Sequence, residues 1–197
     1  MNRLRRLHSA SGLFPLGAYL FFHAWEHWPV RESRGALFAR LEHSHSALLE
    51  LAFVVLPLIV HAGLGLRLAR DPSNLDAYRS RSFRRLQIAT GVVAGAFLTF
   101  HLVTVWLPRL FDQNPIGAAY GALVERSGDL PGVVLHAVGI AAVCTHFGQG
   151  LGIALARLWP GRAAQRLCHP LGIALGVLLW LAFLNELASY AAYAPLL

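Results

Sequence analysis

Lysine is absent from these 197 residues, cysteine occurs only twice, and charged residues make up just 14%. So little charge, with 56% hydrophobic residues and a mean hydropathy of +0.51, excludes an ordinary soluble domain. Two cysteines, Cys144 in one apolar stretch and Cys168 beyond its basic end, exclude a disulfide framework and read as inert thiols. There is no C-x-x-C-H for covalent haem and no H-E-x-x-H for a zinc hydrolase. Neither an internal repeat nor a stretch broken at its middle by paired glycine and proline occurs, which argues against a transporter.

What remains is apolar sequence in long runs. Runs of about 20 residues suit a bilayer. They predict an all-α, polytopic bundle of five transmembrane helices, near 10–28, 46–68, 86–107, 132–155 and 171–193, forming one domain over 1–197. The basic start before the first run looks like a secretory signal, but Trp25, Glu26, His27 and Trp28 stand where a small-residue cleavage site would be, so the segment is expected to stay as a mature helix. All 17 basic residues are arginines. They gather at Arg3, Arg5 and Arg6, from Arg67 to Arg85, and at Arg157, Arg162 and Arg166, whereas the other connections mix Arg31, Arg34, Arg40, Arg109 and Arg126 with acids. Positive loops stay in the cytoplasm, so the N-terminus is expected inside and the C-terminus outside. The net charge of +7 then requires no nucleic-acid partner.

His23, His61, His101 and His146 each lie inside a different apolar run. An ionisable group at such a place marks function by default. With about 1.5 Å of rise per residue, depth can be counted from the nearest cytoplasmic arginine. His23 is 17 residues beyond Arg6 and His101 is 16 beyond Arg85, or roughly 24 to 26 Å. His61 precedes Arg67 by 6 residues and His146 precedes Arg157 by 11, or roughly 9 and 16 Å. Two levels follow, His23 with His101 as a distal pair and His61 with His146 as a proximal pair. Zinc wants three or four protein ligands; two imidazoles per level suit the two axial positions of a haem. The expected cofactors are therefore two haems b held between the first four helices. Gly63, Gly65, Gly91, Gly95, Gly148, Gly150 and Gly152 flank these histidines and would let a flat macrocycle approach, although small residues also serve helix contact.

The run R-R-L-H-S-A-S-G-L-F-P from Arg5 to Pro15, followed by His23, L-P-L-I-V-H-A-G-L-G around His61, T-G and then F-H ending at His101, and H-F-G-Q-G-L from His146 resemble the single-chain, five-helix cytochrome b anchor of succinate dehydrogenases and fumarate reductases. The likeness runs from Arg5 to about Leu155. It implies the same pairing of four axial histidines. It further implies a flavoprotein subunit carrying FAD and an iron-sulfur subunit on the cytoplasmic face, quinone (menaquinone expected) as substrate, and a place in the bacterial cytoplasmic membrane and the tricarboxylic acid cycle, with a higher oligomer of the complex left open. By the same resemblance Arg6, His8 and Ser9 are the candidates for the haem propionates. This chain holds no dicarboxylate site, and the stretch from Arg67 to Arg85 is a candidate docking surface for the partner subunits.

Quinone chemistry moves two electrons with two protons, so its site needs hydrogen-bonding groups and an ionisable route to water. The outer helix ends offer Glu26, His27, Glu50, Asn185 and Glu186, with His43 and His45 in the external loop; Glu50, Glu26 and His27 are the residues expected to carry quinone and proton chemistry. Two departures from the family pattern matter. Gln87-Ile88-Ala89-Thr90-Gly91 lacks the arginine of a Q-R-x-T-G pattern, which turns attention to Arg84 or Arg85 for a propionate. Cys144 stands where certain fumarate-reducing members carry an acid, which favours succinate oxidation. His136 reads as interfacial, or near the edge of the distal haem, His169 as exposed in a basic loop, and Trp25, Trp28, Trp106, Trp159 and Trp180 as an interfacial belt. Two rival functions stay open: the dihaem cytochrome b subunit of a hydrogenase or formate dehydrogenase, and a haem-free membrane scaffold.

Overall fold

The computed structural model describes residues 3–27, 47–71, 80–109, 111, 129–159 and 161–193, and every regular element among them is helical. In chain order these are α1 (Arg3–Ser11), α2 (Gly17–His27), α3 (Ala47–Glu50), α4 (Leu56–Ala69), α5 (Arg81–His101), α6 (Leu107–Arg109), α7 (Leu130–Leu158) and α8 (Arg162–Tyr193). Short π-helical turns at Gly12–Leu16, Leu51–Val55 and Leu102–Trp106 join α1 to α2, α3 to α4 and α5 to α6. Each has a proline within or just after it: Pro15, Pro57 and Pro108. A proline ring collides with the carbonyl four residues back, and a widened turn relieves that clash without ending the helix.

Four of these rods are long and apolar enough to cross a membrane: Leu51–Ala69, Arg81–Trp106, Leu130–Leu158 and Arg166–Ala188. The first expected span is helical throughout Arg3–His27 but is not among them: α1 carries Arg3, Arg5, Arg6 and His8 in its nine residues, and α2 holds His23, Glu26 and His27. Large apolar side chains face outward along the rods, Ile59, Val92, Leu178 and Phe53 among them, as a lipid-facing surface requires. The buried polar side chains Glu50, Gln87, His136, Gln149 and Glu186 turn inward.

Helix starts differ from the apolar runs because caps, not hydropathy, set them. Ser80 accepts the Phe83 N–H at 3.1 Å and starts α5 five residues before the apolar run begins. Asp129 accepts the Gly132 N–H at 2.7 Å, with Pro131 in the first turn of α7. The last helix begins at Arg162 and carries Pro170 inside it. Cys168 and His169 are therefore helical, not in a loop. Cys168 is buried and His169 half-buried, with its ring edge-on to Phe83 at 5.4 Å.

The tightest contact is between α7 and α8. Gly148 and Gly152 form one G-x-x-x-G stripe and Gly172 and Gly176 another, and they meet backbone to backbone. A Cβ on Gly148 would lie 2.5 Å from the Gly172 carbonyl oxygen, and one on Gly176 would lie 2.6 Å from the Cys144 carbonyl oxygen. These glycines serve helix packing, not a macrocycle. Gly172→Val is expected to cost about 1–3 kcal/mol by forcing α7 and α8 apart, read as a lower melting temperature in detergent. Gly63→Ala, with open space around its Cβ, is the control and should melt as the parent does.

Candidate paired-histidine site

A cavity of about 630 Å³ lies between the rods, lined from Arg5, His8, Ser9 and Arg157 at one end to Glu50, Trp106, His136 and Glu186 at the other. His23, His61, His101 and His146 all line it. The structure brings them together in two pairs. The rings of His61 on α4 and His146 on α7 are 6.0 Å apart at 85°. Those of His23 on α2 and His101 on α5 are 6.5 Å apart at 76°.

Two backbone carbonyls orient the first pair. His61 Nδ1–H donates to the His8 carbonyl at 3.0 Å, with Ser11 Oγ at 3.3 Å beside it. His146 Nδ1–H donates to the Gln87 carbonyl at 3.0 Å. A carbonyl only accepts, so each Nδ1 carries the proton and each Nε2 keeps its lone pair for another partner. Glycines make room for both rings. A Cβ on Gly12 would meet His61 Cε1 at 2.5 Å, and one on Gly91 would meet His146 Cε1 at 2.8 Å. Gly65 does the same for His8, whose ring stacks on His61 at 4.1 Å. Of the glycines expected to flank a macrocycle, Gly91 and Gly65 thus seat histidine rings, while Gly63 and Gly95 face open space.

The second pair lies one level away. His23 is 11 residues beyond Gly12, the seat of His61, and His101 is 10 beyond Gly91, the seat of His146; both steps amount to about 15 to 16 Å. Tyr19 stacks on His23 at 5.4 Å, and Phe183 and Phe97 pack beside His23 and His101 at 6.0 and 5.8 Å.

At the arginine end, Arg157 Nη1 donates to Ser9 Oγ at 3.4 Å. Arg6 is exposed and outside the cavity lining, whereas Arg5 is inside it. In the sequence Arg157 reads only as a cytoplasmic marker, although a signal for its place on the lining is there: it follows His146 by 11 residues, three helical turns, and so shares its face. Arg84 is engaged elsewhere, donating to the Ala69 and Asp71 carbonyls at 2.8 and 3.2 Å, where it closes the C-terminal end of α4. Burial, and then the nearby His61, His146 and Arg157, holds the His8 imidazole down at about 3, so it stands neutral.

At the other end Glu50 is buried and accepts a hydrogen bond from Trp106 Nε1. Trp106 is thus a partner of an acid, not only part of an interfacial belt; the π-helical turn after His101 carries it there. His136 is 3% exposed and lies nearly two turns inside the start of α7 at Leu130. Its Nδ1–H donates to the Gly132 carbonyl at 2.8 Å, and its ring lies 6.4 Å from His101. Glu186 is buried and Asn185 exposed. Glu26 and His27 end α2; His43 and His45 lie outside the described residues.

The architecture is that of a multi-pass helical membrane protein with imidazole pairs in its interior. The chain is 28% identical to the succinate dehydrogenase cytochrome b558 subunit of Bacillus subtilis (strain 168) over 158 residues, which cover 75% of this chain and 75% of that relative. The chain is thus similar to a succinate dehydrogenase cytochrome b subunit and carries four helices long and apolar enough to cross a membrane. No family model and no solved structure matches it.

Proposed function

We propose that the chain is the dihaem cytochrome b anchor of a succinate:quinone oxidoreductase, conducting electrons from an iron-sulfur subunit to membrane quinone in the succinate-oxidising direction. The observation that carries this reading is the spacing of the histidine pairs. Two imidazole nitrogens about 2.0 Å from one iron, plus about 1.1 Å from each nitrogen to its ring centre, put the ring centres about 6.2 Å apart; the pairs here stand at 6.0 and 6.5 Å. Among the described residues, no group of three or more His, Cys, Asp or Glu side chains could hold a metal ion, which disfavours zinc. The residues fit the group.

Haem b, when bound, supplies the one-electron carriers. His61 and His146 would hold the iron nearer Arg5 and Arg157, and His23 with His101 the other, the two about 15 Å apart along the helices. Arg5, Arg157, His8 and Ser9 offer cationic and hydrogen-bonding groups to propionates. Arg157→Met is expected to lower the midpoint potential of the proximal haem, since a nearby cation favours the reduced, less positive iron; a redox titration reads it. Glu50, placed by Trp106, would exchange protons with quinone at the opposite end, near the distal haem. FAD and iron-sulfur clusters belong to partner subunits docked on the cytoplasmic face, where the N-terminus and the arginine-rich connections would lie, with the chain spanning the bacterial cytoplasmic membrane five times and ending outside.

The experiment that tests this role removes the anchor. Partner subunits expressed without this chain should still oxidise succinate with a soluble dye as acceptor, and should lose both membrane attachment and quinone reduction. Full quinone reduction without the chain would contradict the proposal.

A further inference from the structure

One residue grips His146 twice. Gln87 is 7% exposed on α5 and lines the cavity. Its main-chain carbonyl accepts the His146 ring N–H at 3.0 Å, and its side-chain Nε2 donates back to the His146 main-chain carbonyl at 3.1 Å. The first contact fixes the rotation of the imidazole; the second fixes the α7 backbone that carries it. Gly91, four residues on and so on the same face of α5, is the seat of that ring. The partner imidazole is held differently: the His8 carbonyl and the Ser11 hydroxyl share His61 Nδ1, so no single side chain governs it.

Resting on the dihaem reading above, we propose that Gln87 is the positioning residue of His146 and, through it, sets the reduction potential of the proximal haem. An axial imidazole whose second nitrogen donates to a carbonyl is a stronger electron donor, and the partner that accepts from it tunes the metal. A stronger donor favours ferric iron. The amide clasp holds α7 against α5 at this level and keeps the ring N–H within 3.0 Å of its acceptor. Without the clasp that bond lengthens, the imidazole donates less, and the ferrous state gains. The distal pair lies about 15 Å away and has other neighbours, so it should not respond.

Gln87→Met keeps length and apolar bulk but removes the amide donor; Gln87→Asn keeps the amide but shortens its reach by one methylene. In the assembled complex, potentiometric titration with electron paramagnetic resonance of the ferric signals separates the two haems. Both variants should show a proximal midpoint shifted upward, so that the ferric-to-ferrous ratio at the parent's midpoint falls several-fold. The proximal low-spin signal should move while the distal midpoint and signal stay in place. Loss of the proximal haem alone would be the same effect in its extreme form. Both haems present with an unchanged proximal midpoint and signal would overturn the proposal, as would equal loss of both haems from both variants, because Gln87 would then serve the fold and not one ligand. A parent complex without haem would instead refute the dihaem reading itself.

Discussion

His61→Ala is expected to leave a chain with one haem in place of two, the one held by His23 and His101, and His146→Ala should do the same. Either change removes one of two imidazoles that face each other at 6.0 Å, and the single imidazole left would hold the haem too weakly to retain it. His23→Ala and His101→Ala should have the mirror effect and spare the proximal haem. Absorption at the two haems' separate redox midpoints distinguishes these outcomes, with about half of the reducible haem lost in each case. The independence of the effects rests on the distance between levels, about 15 Å, and on the separate anchoring of each ring. His61 hangs from the α1 backbone and His146 from α5. Loss of the same haem from His23→Ala and from His61→Ala would overturn the pairing.

The second large effect is expected at Glu50. Glu50→Gln keeps an oxygen for the Trp106 N–H but removes the ionisable proton, so quinone turnover by the complex should fall by about 10²-fold, the lower range for a lost acid–base group. Succinate should still reduce both haems, because nothing on the electron path has changed. Trp106→Phe, which leaves the carboxylate but takes away its donor, should lower turnover less and raise the KM for quinone more than it lowers kcat. Unchanged quinone turnover in Glu50→Gln, with haems intact, would move proton exchange away from this end of the cavity, and Glu186 would be next in line because it is buried on the same lining.

Apolar runs alone placed the four helices that are long and apolar enough to cross a membrane, because a bilayer demands both length and hydropathy. They could not place the starts of α5 and α7, which are set by Ser80 and Asp129, or show that the last helix begins at Arg162 and runs on through Pro170. Depth counting along the chain grouped His23 with His101 and set both apart from His61 and His146, because helical rise is nearly constant; that His61 and His146 meet, and the ring spacings, needed the three-dimensional packing. Residues acting through the backbone were out of reach. The carbonyls of His8 and Gln87 hold two imidazoles, yet a carbonyl leaves no trace in sequence. The roles of the glycines were only half legible: the period of four in Gly148, Gly152, Gly172 and Gly176 was there to see, but which helix they faced was not. Arg157 and His136 both reach the cavity because α7 is one unbroken helix from Leu130 to Leu158, which carries both onto the lining at opposite ends.

Pyridine haemochrome analysis of the purified, detergent-solubilised chain, paired with a reduced-minus-oxidised spectrum, tests the central claim most directly. Two b-type haems per chain are expected, both low-spin and titrating at separable potentials. A folded, monodisperse and colourless protein would contradict it and leave the histidine pairs as contacts between helices.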